Sequence, residues 1–168
     1  MLQSIRFKNL QFDIEDDQHI ANYRLTGDVD EYFQYIRVPL IIKPLVQFDV
    51  SGITNFNSVG IREWTRLMTG FPKSSKIEFV KASVAMVDQI NMVPECLGHG
   101  KIVSFFAPYY CACGVEATRL LDVEACKEDI AHLRAPPLAC VACGQKLQFD
   151  ALEESYFSAI ANSLQTVA

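Results

Sequence analysis

Four cysteines in two close pairs constrain the fold of this chain more than any other feature of its sequence. Cys111 and Cys113 form a Cys-x-Cys pair, Cys140 and Cys143 form a Cys-x-x-Cys pair, and a glycine follows each pair. Such a short turn lets both sulfurs face one point, and the glycine permits the positive φ that the turn needs. Two such turns a few tens of residues apart are typical of a four-thiolate tetrahedral site. The spacing therefore predicts one zinc ion per chain, bound by these four cysteines.

The segments around the cysteines favour a small β subdomain. Residues 102–110 and 115–123 predict two strands joined by the first cysteine pair, and residues 146–149 predict a third strand after the second pair. This order of strands and turns resembles a zinc ribbon. Because all four ligands are cysteines, no position stays open for water, and we expect a structural and not a catalytic site.

Alternatives to this ligand set stay open. The four cysteines could be buried or oxidised without a metal, and Cys126 or His132, which lie between the two pairs, could replace one ligand. Cys96 has no partner nearby in the sequence, and we interpret it as a free core cysteine.

The sequence also predicts a reducing compartment. The first ten residues contain no apolar stretch followed by a small-residue cleavage site, and prolines and charges interrupt the most apolar segment, residues 38–50. We therefore expect a cytoplasmic protein without a membrane span. Its six cysteines should stay reduced, which favours metal binding over disulfides.

The composition favours a globular protein and argues against nucleic-acid binding. The chain has 168 residues, of which 50% are hydrophobic, so it can bury a core without staples. Its net charge is −5 and its Lys and Arg residues form no run, so it lacks the counterion release that drives most nucleic-acid binding. The loop between the cysteine pairs, residues 114–139, is itself acidic in balance. We therefore regard a nucleic-acid-binding zinc ribbon as only the second alternative for the function.

The N-terminal two thirds of the chain alternate strand and helix patterns. In chain order, the predicted elements are strands at 5–14, 19–26 and 46–50, a helix from Ser58 to about Gly70, a strand at 77–80, a helix at 83–93 and a strand at 102–106. The acidic residues Glu15, Asp16 and Asp17 are the predicted turn between the first two strands. This order implies right-handed crossovers in an α/β fold, with helices packed on a mixed sheet.

Residues 48–61, with the sequence FDVSGITNFNSVGI, resemble the central signature of STAS domains, the modules of sulfate transporters and anti-sigma factor antagonists. In that signature an aspartate-bearing strand leads through a short loop and an Asp-Ser-Ser/Thr-Gly-like turn into a helix. The segment from Gly27 to Asp30 is similar to the glycine-containing segment after the family's second strand. The resemblance covers residues 18–107 and implies a STAS-like mixed sheet in a protein of the bacterial cytoplasm.

The resemblance also implies a position for the family's phosphorylation switch. The family's phospho-acceptor is the Ser or Thr directly before the glycine, and here that position is Val59, ahead of Gly60. The acidic position at the start of the turn is Asn57. Because valine cannot be phosphorylated, we expect the usual switch to be missing; Ser58 or Thr54 are the hydroxyls that could substitute, and we expect neither to do so. Ser58 could equally serve as the helix N-cap.

We divide the chain into three parts on these patterns. Residues 1–107 are the STAS-like α/β domain, residues 108–149 are the zinc-ribbon-like insertion, and residues 150–168 are a C-terminal helix that packs on the α/β domain. Asp150 and Glu153 resemble a capping box at the start of that helix. Its buried face is predicted from apolar residues that recur every four positions, namely Leu152, Tyr156, Ile160 and Leu164.

The sequence shows few signs of catalysis. It has no phosphate-binding Gly-x-x-x-x-Gly-Lys-Ser/Thr loop, no Gly-x-Ser-x-Gly elbow and no His-Glu-x-x-His pattern. Asp28 and Asp30 are better explained as a solvated turn at a strand end than as acid–base groups. We therefore do not expect an enzyme.

The STAS resemblance implies a signalling or scaffolding module that binds a protein partner through the loop and helix at residues 55–68. The partner would be an anti-sigma-like or kinase-like protein, a larger sensory complex, or a second copy of the chain. The contact residues expected are Asn55, Asn57, Ser58, Val59, Ile61 and Arg62. As an alternative, free backbone N–H groups at the start of the helix suit a nucleotide or an anion, as in a small-ligand sensor.

Overall fold

Six strands form one mixed sheet, and their order across the sheet follows their order in the chain. The computed structural model describes residues 2–165. The strands are β1 Leu2–Arg6, β2 Leu10–Asp16, β3 Ile20–Val29, β4 Leu45–Phe56, β5 Lys76–Val80 and β6 Lys101–Ile102. The pairs β1–β2 and β2–β3 are antiparallel, and every pair from β3 to β6 is parallel.

Two helices connect the parallel strands, as the alternating pattern predicted. Helix α1 spans Ser58–Gly70 between β4 and β5, and helix α2 spans Val84–Met92 between β5 and β6. Trp64 of α1 packs edge-on against Phe48 of β4, so this helix lies over the apolar face of the sheet. The predicted fold class, α/β with helices packed on a mixed sheet, is confirmed. Within residues 2–165, no helix has the length and apolar character needed to cross a membrane.

The opposite face of the sheet is polar. Tyr23 and Phe48, on adjacent strands, stack with ring centroids 4.8 Å apart on the buried face. Their neighbours Arg24 and Asp49 point the other way, and Arg24 Nε lies 3.8 Å from the Asp49 carboxylate. Lys81 Nζ also lies 3.3 Å from that carboxylate. The sheet therefore has one covered and one open face, although its parallel strands belong to a type that is usually covered on both.

The prediction of one strand at residues 5–14 is wrong, because a turn at residues 7–9 separates β1 from β2. The N–H of Phe7 donates to the carbonyl of Leu10 at 2.8 Å and closes that turn. The apolar alternation changes phase here, from odd positions at Ile5 and Phe7 to even positions from Leu10 onward, and a change of phase moves side chains to the other face. The next turn also lies later than predicted, because Asp16 still belongs to β2.

The start of α1 differs from the sequence-based interpretation in its cap. The N-cap is Asn57 and not Ser58: the Asn57 side chain accepts a hydrogen bond from the Gly60 N–H at 2.9 Å. The preceding strand β4 continues to Phe56, well past the predicted end at residue 50. The segment predicted as a loop is therefore the end of a strand, which leads directly into the helix.

A second sheet of three strands carries both cysteine pairs. It contains β7 Ser104–Tyr110, β8 Glu116–Asp122 and β9 Gln148–Phe149 in the order β8-β7-β9. The predicted strand at residues 102–110 is divided at Val103. The Val103 N–H donates to the carbonyl of Phe79 in the first sheet, and the Val103 carbonyl accepts from the N–H of Val123, which directly follows β8. The chain therefore passes from one sheet to the other at a single residue. A short helix, α3 Lys127–Ala131, follows β8.

The C-terminal helix α4 spans Glu153–Gln165 and begins later than predicted. The predicted capping box does not form, because the Glu153 carboxylate accepts from the Ala135 N–H and the Asp150 N–H donates to Pro108. Leu152 precedes the helix and is 77% exposed, so it does not belong to the buried face. Tyr156 and Ile160 are buried as predicted. Residues 166–168 of the predicted helix lie outside the described residues.

Candidate metal centre

The first cysteine pair lies on a tight turn between β7 and β8. The Gly114 N–H donates to the Cys111 carbonyl at 2.9 Å, and the Cys111 N–H donates to the Val115 carbonyl at 2.8 Å. Gly114 has a φ of +91°, and no atom lies within 4 Å of the position that a Cβ would take. The glycine is therefore required by the backbone conformation and not by lack of space.

The second cysteine pair lies on a turn with the same hydrogen-bond pattern, but it has two residues between its cysteines where the first pair has one. The Gly144 N–H donates to the Cys140 carbonyl at 2.8 Å, and the Cys140 N–H donates to the Gln145 carbonyl at 2.7 Å. Gly144 has a φ of +73° and open space around its Cα. Below the turn, Leu147 donates to Leu138 at 2.8 Å, so a small hairpin supports the pair. Backbone hydrogen bonds therefore hold both turns, and N–H groups inside each turn also interact with the sulfur of its first cysteine.

The tertiary structure brings all four sulfurs to one place. The Sγ atoms of Cys111, Cys113, Cys140 and Cys143 lie within 4.8 Å of one another, and we call this group the four-cysteine cluster. The sulfurs of Cys111 and Cys143 are 3.4 Å apart, and those of Cys113 and Cys140 are 3.8 Å apart. A disulfide requires about 2.05 Å, so all four are free thiols. This donor set can hold a metal ion.

The pKa values of two cysteines in the cluster are shifted in opposite directions. The backbone N–H groups of Ala142 and Cys143 lower the pKa of Cys140 to about 7. The backbone N–H of Cys113 also lowers the pKa of Cys111, but burial and the neighbouring thiols outweigh it and raise that pKa to about 12. Like charges a few ångströms apart disfavour each other, so four thiolates need a cation between them. The chemistry of the donor set therefore fits a metal ion.

The two alternative ligands, Cys126 and His132, and the predicted core cysteine Cys96 lie outside the four-cysteine cluster. Cys126 is half-buried just before α3, where burial raises its pKa. His132 Nδ1 lies 2.7 Å from the Glu128 carbonyl one turn earlier in the same segment. Cys96 is buried, and its carbonyl accepts the indole N–H of Trp64 at 2.9 Å. The structure therefore places none of the three with the paired cysteines.

The predicted partner-binding residues lie at the end of β4 and the start of α1. The chain exposes Asn55, Ser58 and Arg62 on this surface, while Asn57, Val59 and Ile61 are half-buried. This surface, residues 55–62, is continuous along the chain because no loop separates the strand from the helix.

Two hydrogen bonds that the sequence did not predict hold this surface in place. The Thr54 hydroxyl donates to the Asp28 carboxylate at 2.5 Å, and the Asn57 amide donates to the Glu31 carboxylate at 2.5 Å. Each bond joins residues that are 26 positions apart in the chain. Asp28, in β3, therefore contacts the end of β4, and Glu31, just after β3, contacts the N-cap of α1; the resemblance to STAS domains did not predict either contact.

The start of α1 is a poor site for an anion. The Gly60 N–H is already bonded to the Asn57 side chain, and the Ile61 N–H donates to the Asn57 carbonyl. The carboxylates of Asp28 and Glu31 are held beside the same turn. Their negative charge opposes an anion at this helix terminus, although such termini commonly bind one.

A scan against protein-family models and searches of curated proteins and of solved structures find no match to this chain. The functional interpretation therefore depends on the residues and their geometry.

Proposed function

We propose that the four-cysteine cluster binds one structural zinc ion that stabilises the second sheet. A Zn–S bond is about 2.3 Å, and in a tetrahedron this separates two sulfurs by about 3.8 Å. Two of the sulfur–sulfur distances, 3.4 Å and 3.8 Å, lie near that value, and all four sulfurs lie within 4.8 Å of one another. Thiolate ligands select Zn²⁺ over the harder divalent cations, and four of them leave no open position for a reacting water.

Metal analysis of the purified protein tests this proposal. We expect about one zinc per chain in the native protein and none in a Cys140→Ser, Cys143→Ser double variant. Cys126→Ser is the matched control, because this cysteine lies outside the cluster and should leave the zinc content unchanged. If the native protein carries no metal and the double variant keeps the same fold, the zinc proposal is wrong.

We further propose that the protein is a non-enzymatic, STAS-like signalling or scaffolding module of the bacterial cytoplasm. The observation that supports it most is the surface at residues 55–62, where exposed polar residues lie beside the half-buried Val59 and Ile61. The hydrogen bonds from Thr54 and Asn57 hold this surface in one conformation, so a partner would bind a preorganised site. Because Val59 replaces the phospho-acceptor, the contact would not depend on phosphorylation there. The partner would be an anti-sigma-like or kinase-like protein, a larger sensory complex, or a second copy of the chain.

Site-specific photo-crosslinking in bacterial cells tests the proposed surface. A photoreactive amino acid replaces the exposed Arg62 in one variant and the exposed Leu152 in a control variant. We expect a discrete adduct from position 62 and none from position 152, and its mass distinguishes a dimer from a different partner. An adduct from both positions, or from neither, would contradict a partner site at residues 55–62.

A further inference from the structure

A cavity of about 640 Å³ lies at the N-terminal ends of β5 and β6, apart from the four-cysteine cluster and from residues 55–62. Its walls come from the loop before β5, the end of α2, the turn at residues 98–100 and one face of α4. Its size falls within the range of roughly 300–1,000 Å³ that is typical of small-molecule sites. The cavity is therefore large enough for a metabolite-sized ligand.

The wall formed by α4 is held rigidly by one side chain. The Asn91 amide donates to the Tyr156 carbonyl at 2.9 Å, and its oxygen accepts the Ala159 N–H at 2.9 Å. These two bonds join α2 to α4, and Asn91 and Ala159 both belong to the lining of the cavity. A cavity between fixed elements is preformed, which lowers the entropic cost of binding a ligand.

The lining carries an excess of positive charge. Lys73, Lys76 and Lys101 contribute to it, and no Asp or Glu does. The nearest paired carboxylate, Glu78, lies 2.8 Å from Lys76 Nζ and 3.8 Å from Lys101 Nζ, so one carboxylate serves two lysines. This local surplus occurs in a chain whose net charge is −5. Long lysine side chains can turn toward an anion placed between them.

A buried hydroxyl in the same lining has no partner. Ser75 is 1% exposed, and among residues 2–165 its Oγ makes no hydrogen bond. Its carbonyl lies 2.9 Å from His99 Nε2, and because a carbonyl can only accept, this nitrogen carries the proton. The Ser75 oxygen is itself buried, so it lies within the cavity wall and is not a direct contact for a ligand in the cavity.

We propose that this cavity binds a small organic anion. An apolar body would lie against Pro94 and Leu97, and its carboxylate or phosphate group would pair with Lys73 and, in exchange with Glu78, with Lys76 and Lys101. Because the cavity shares no residue with the four-cysteine cluster or with residues 55–62, this proposal does not depend on the proposed function.

Titration with phenyl phosphate tests the proposal, because this probe combines an apolar ring with a dianion. We expect saturable NMR shifts at the backbone amides of residues 73–77 and 98–101, weaker binding at high salt, and much weaker binding of inorganic phosphate and of neutral phenol. If phenol binds as tightly as phenyl phosphate, or if the amides at 111–114 and 140–144 shift instead, the proposal is wrong. An absence of any saturable shift would also overturn it.

Two pairs of variants locate the site. Replacing Lys73 and Lys101 with Ala should weaken phenyl phosphate binding about tenfold; replacing Lys8 and Lys146, which lie outside the cavity, removes the same charge and should have little effect.

The second pair separates shape from charge. Ser158→Leu fills the cavity without changing charge and should abolish binding, whereas Ser155→Leu on an exposed position of the same helix should not. Equal losses in the test and control variants would overturn the proposal. If a variant fails to fold, the comparison of charged and neutral probes on the native chain still decides the question.

Discussion

The replacement of Gly60 by alanine is the sharpest test of how α1 is held against the sheet. A Cβ at Gly60 would lie 1.9 Å from the Val29 carbonyl oxygen and 2.7 Å from the Asp30 nitrogen. A Cβ atom is essentially never closer than 3.0 Å to a heavy atom from another part of the chain. The helix α1 and the end of β3 must therefore separate by more than 1 Å. Both contacts are with backbone, which cannot rotate away. The glycine is therefore needed here for close approach and not for a positive φ.

The expected cost follows from this geometry. Overpacking in a well-packed region costs about 1–3 kcal/mol, and a rigid backbone neighbour places Gly60→Ala at about 3 kcal/mol. The better helix propensity of alanine offsets up to about 1 kcal/mol of this. We therefore expect a loss of about 2–3 kcal/mol in the free energy of unfolding. With a urea m-value of about 2 kcal/mol/M, the unfolding midpoint should fall by about 1–1.5 M.

Urea unfolding followed by fluorescence measures this directly, because the chain has one tryptophan, Trp64, buried within α1. Gly70→Ala at the other end of the helix is the matched control. Its Cβ would lie 2.8 Å from Leu40 Cδ1, which belongs to an exposed side chain that can rotate away. We expect the control to be neutral or stabilising by up to about 1 kcal/mol. If Gly60→Ala is no less stable than Gly70→Ala, the close approach of α1 to the end of β3 is not what requires this glycine.

Three smaller perturbations test the cap of α1, the charge at Glu78 and the metal centre. Asn57→Ala removes the cap and its bond to the Glu31 carboxylate, so urea unfolding should show a loss of about 1–2 kcal/mol; the exposed Asn55→Ala should cost less than 0.5 kcal/mol, about the usual limit for a surface change. Burial raises the pKa of Glu78, but its hydrogen bonds to Lys76 and Gln47 outweigh burial and hold that pKa below the usual 4.5. Its contribution to stability is thus present above pH 4.5 and lost as the pH falls further, so the stability difference between native and Glu78→Gln in thermal melts should shrink from pH 7 to pH 3; a constant difference would contradict this. Removal of metal by a chelator under reducing conditions should raise hydrogen exchange in residues 104–149 and leave β3 protected, and uniform loss of protection would show that the cluster stabilises the whole fold.

Local patterns were sufficient for α1, α2 and the cysteine turns, but they did not predict α3 or the start of α4. The apolar face of α1 repeats at helical spacing, so its start at Ser58 and its buried Trp64 followed from the sequence. Each cysteine pair is enclosed by hydrogen bonds between residues at most five positions apart, and a glycine supplies the positive φ. The error at β1 and β2 is also local. The turn between the two strands contains the polar residues Lys8 and Asn9, but these lie between apolar residues on both sides, so the segment was predicted as one strand.

The α/β class, the positions of α1 and α2 and the identity of the four cysteines follow from the sequence, because each depends on residues close together in the chain. Three features required the packed structure: the chain changes sheets at Val103, Asn57 reaches Glu31, and Lys73, Lys76 and Lys101 line one cavity. These contacts join positions far apart in the chain, and their formation depends on how the helices and two sheets pack, for which no local pattern carries a signal.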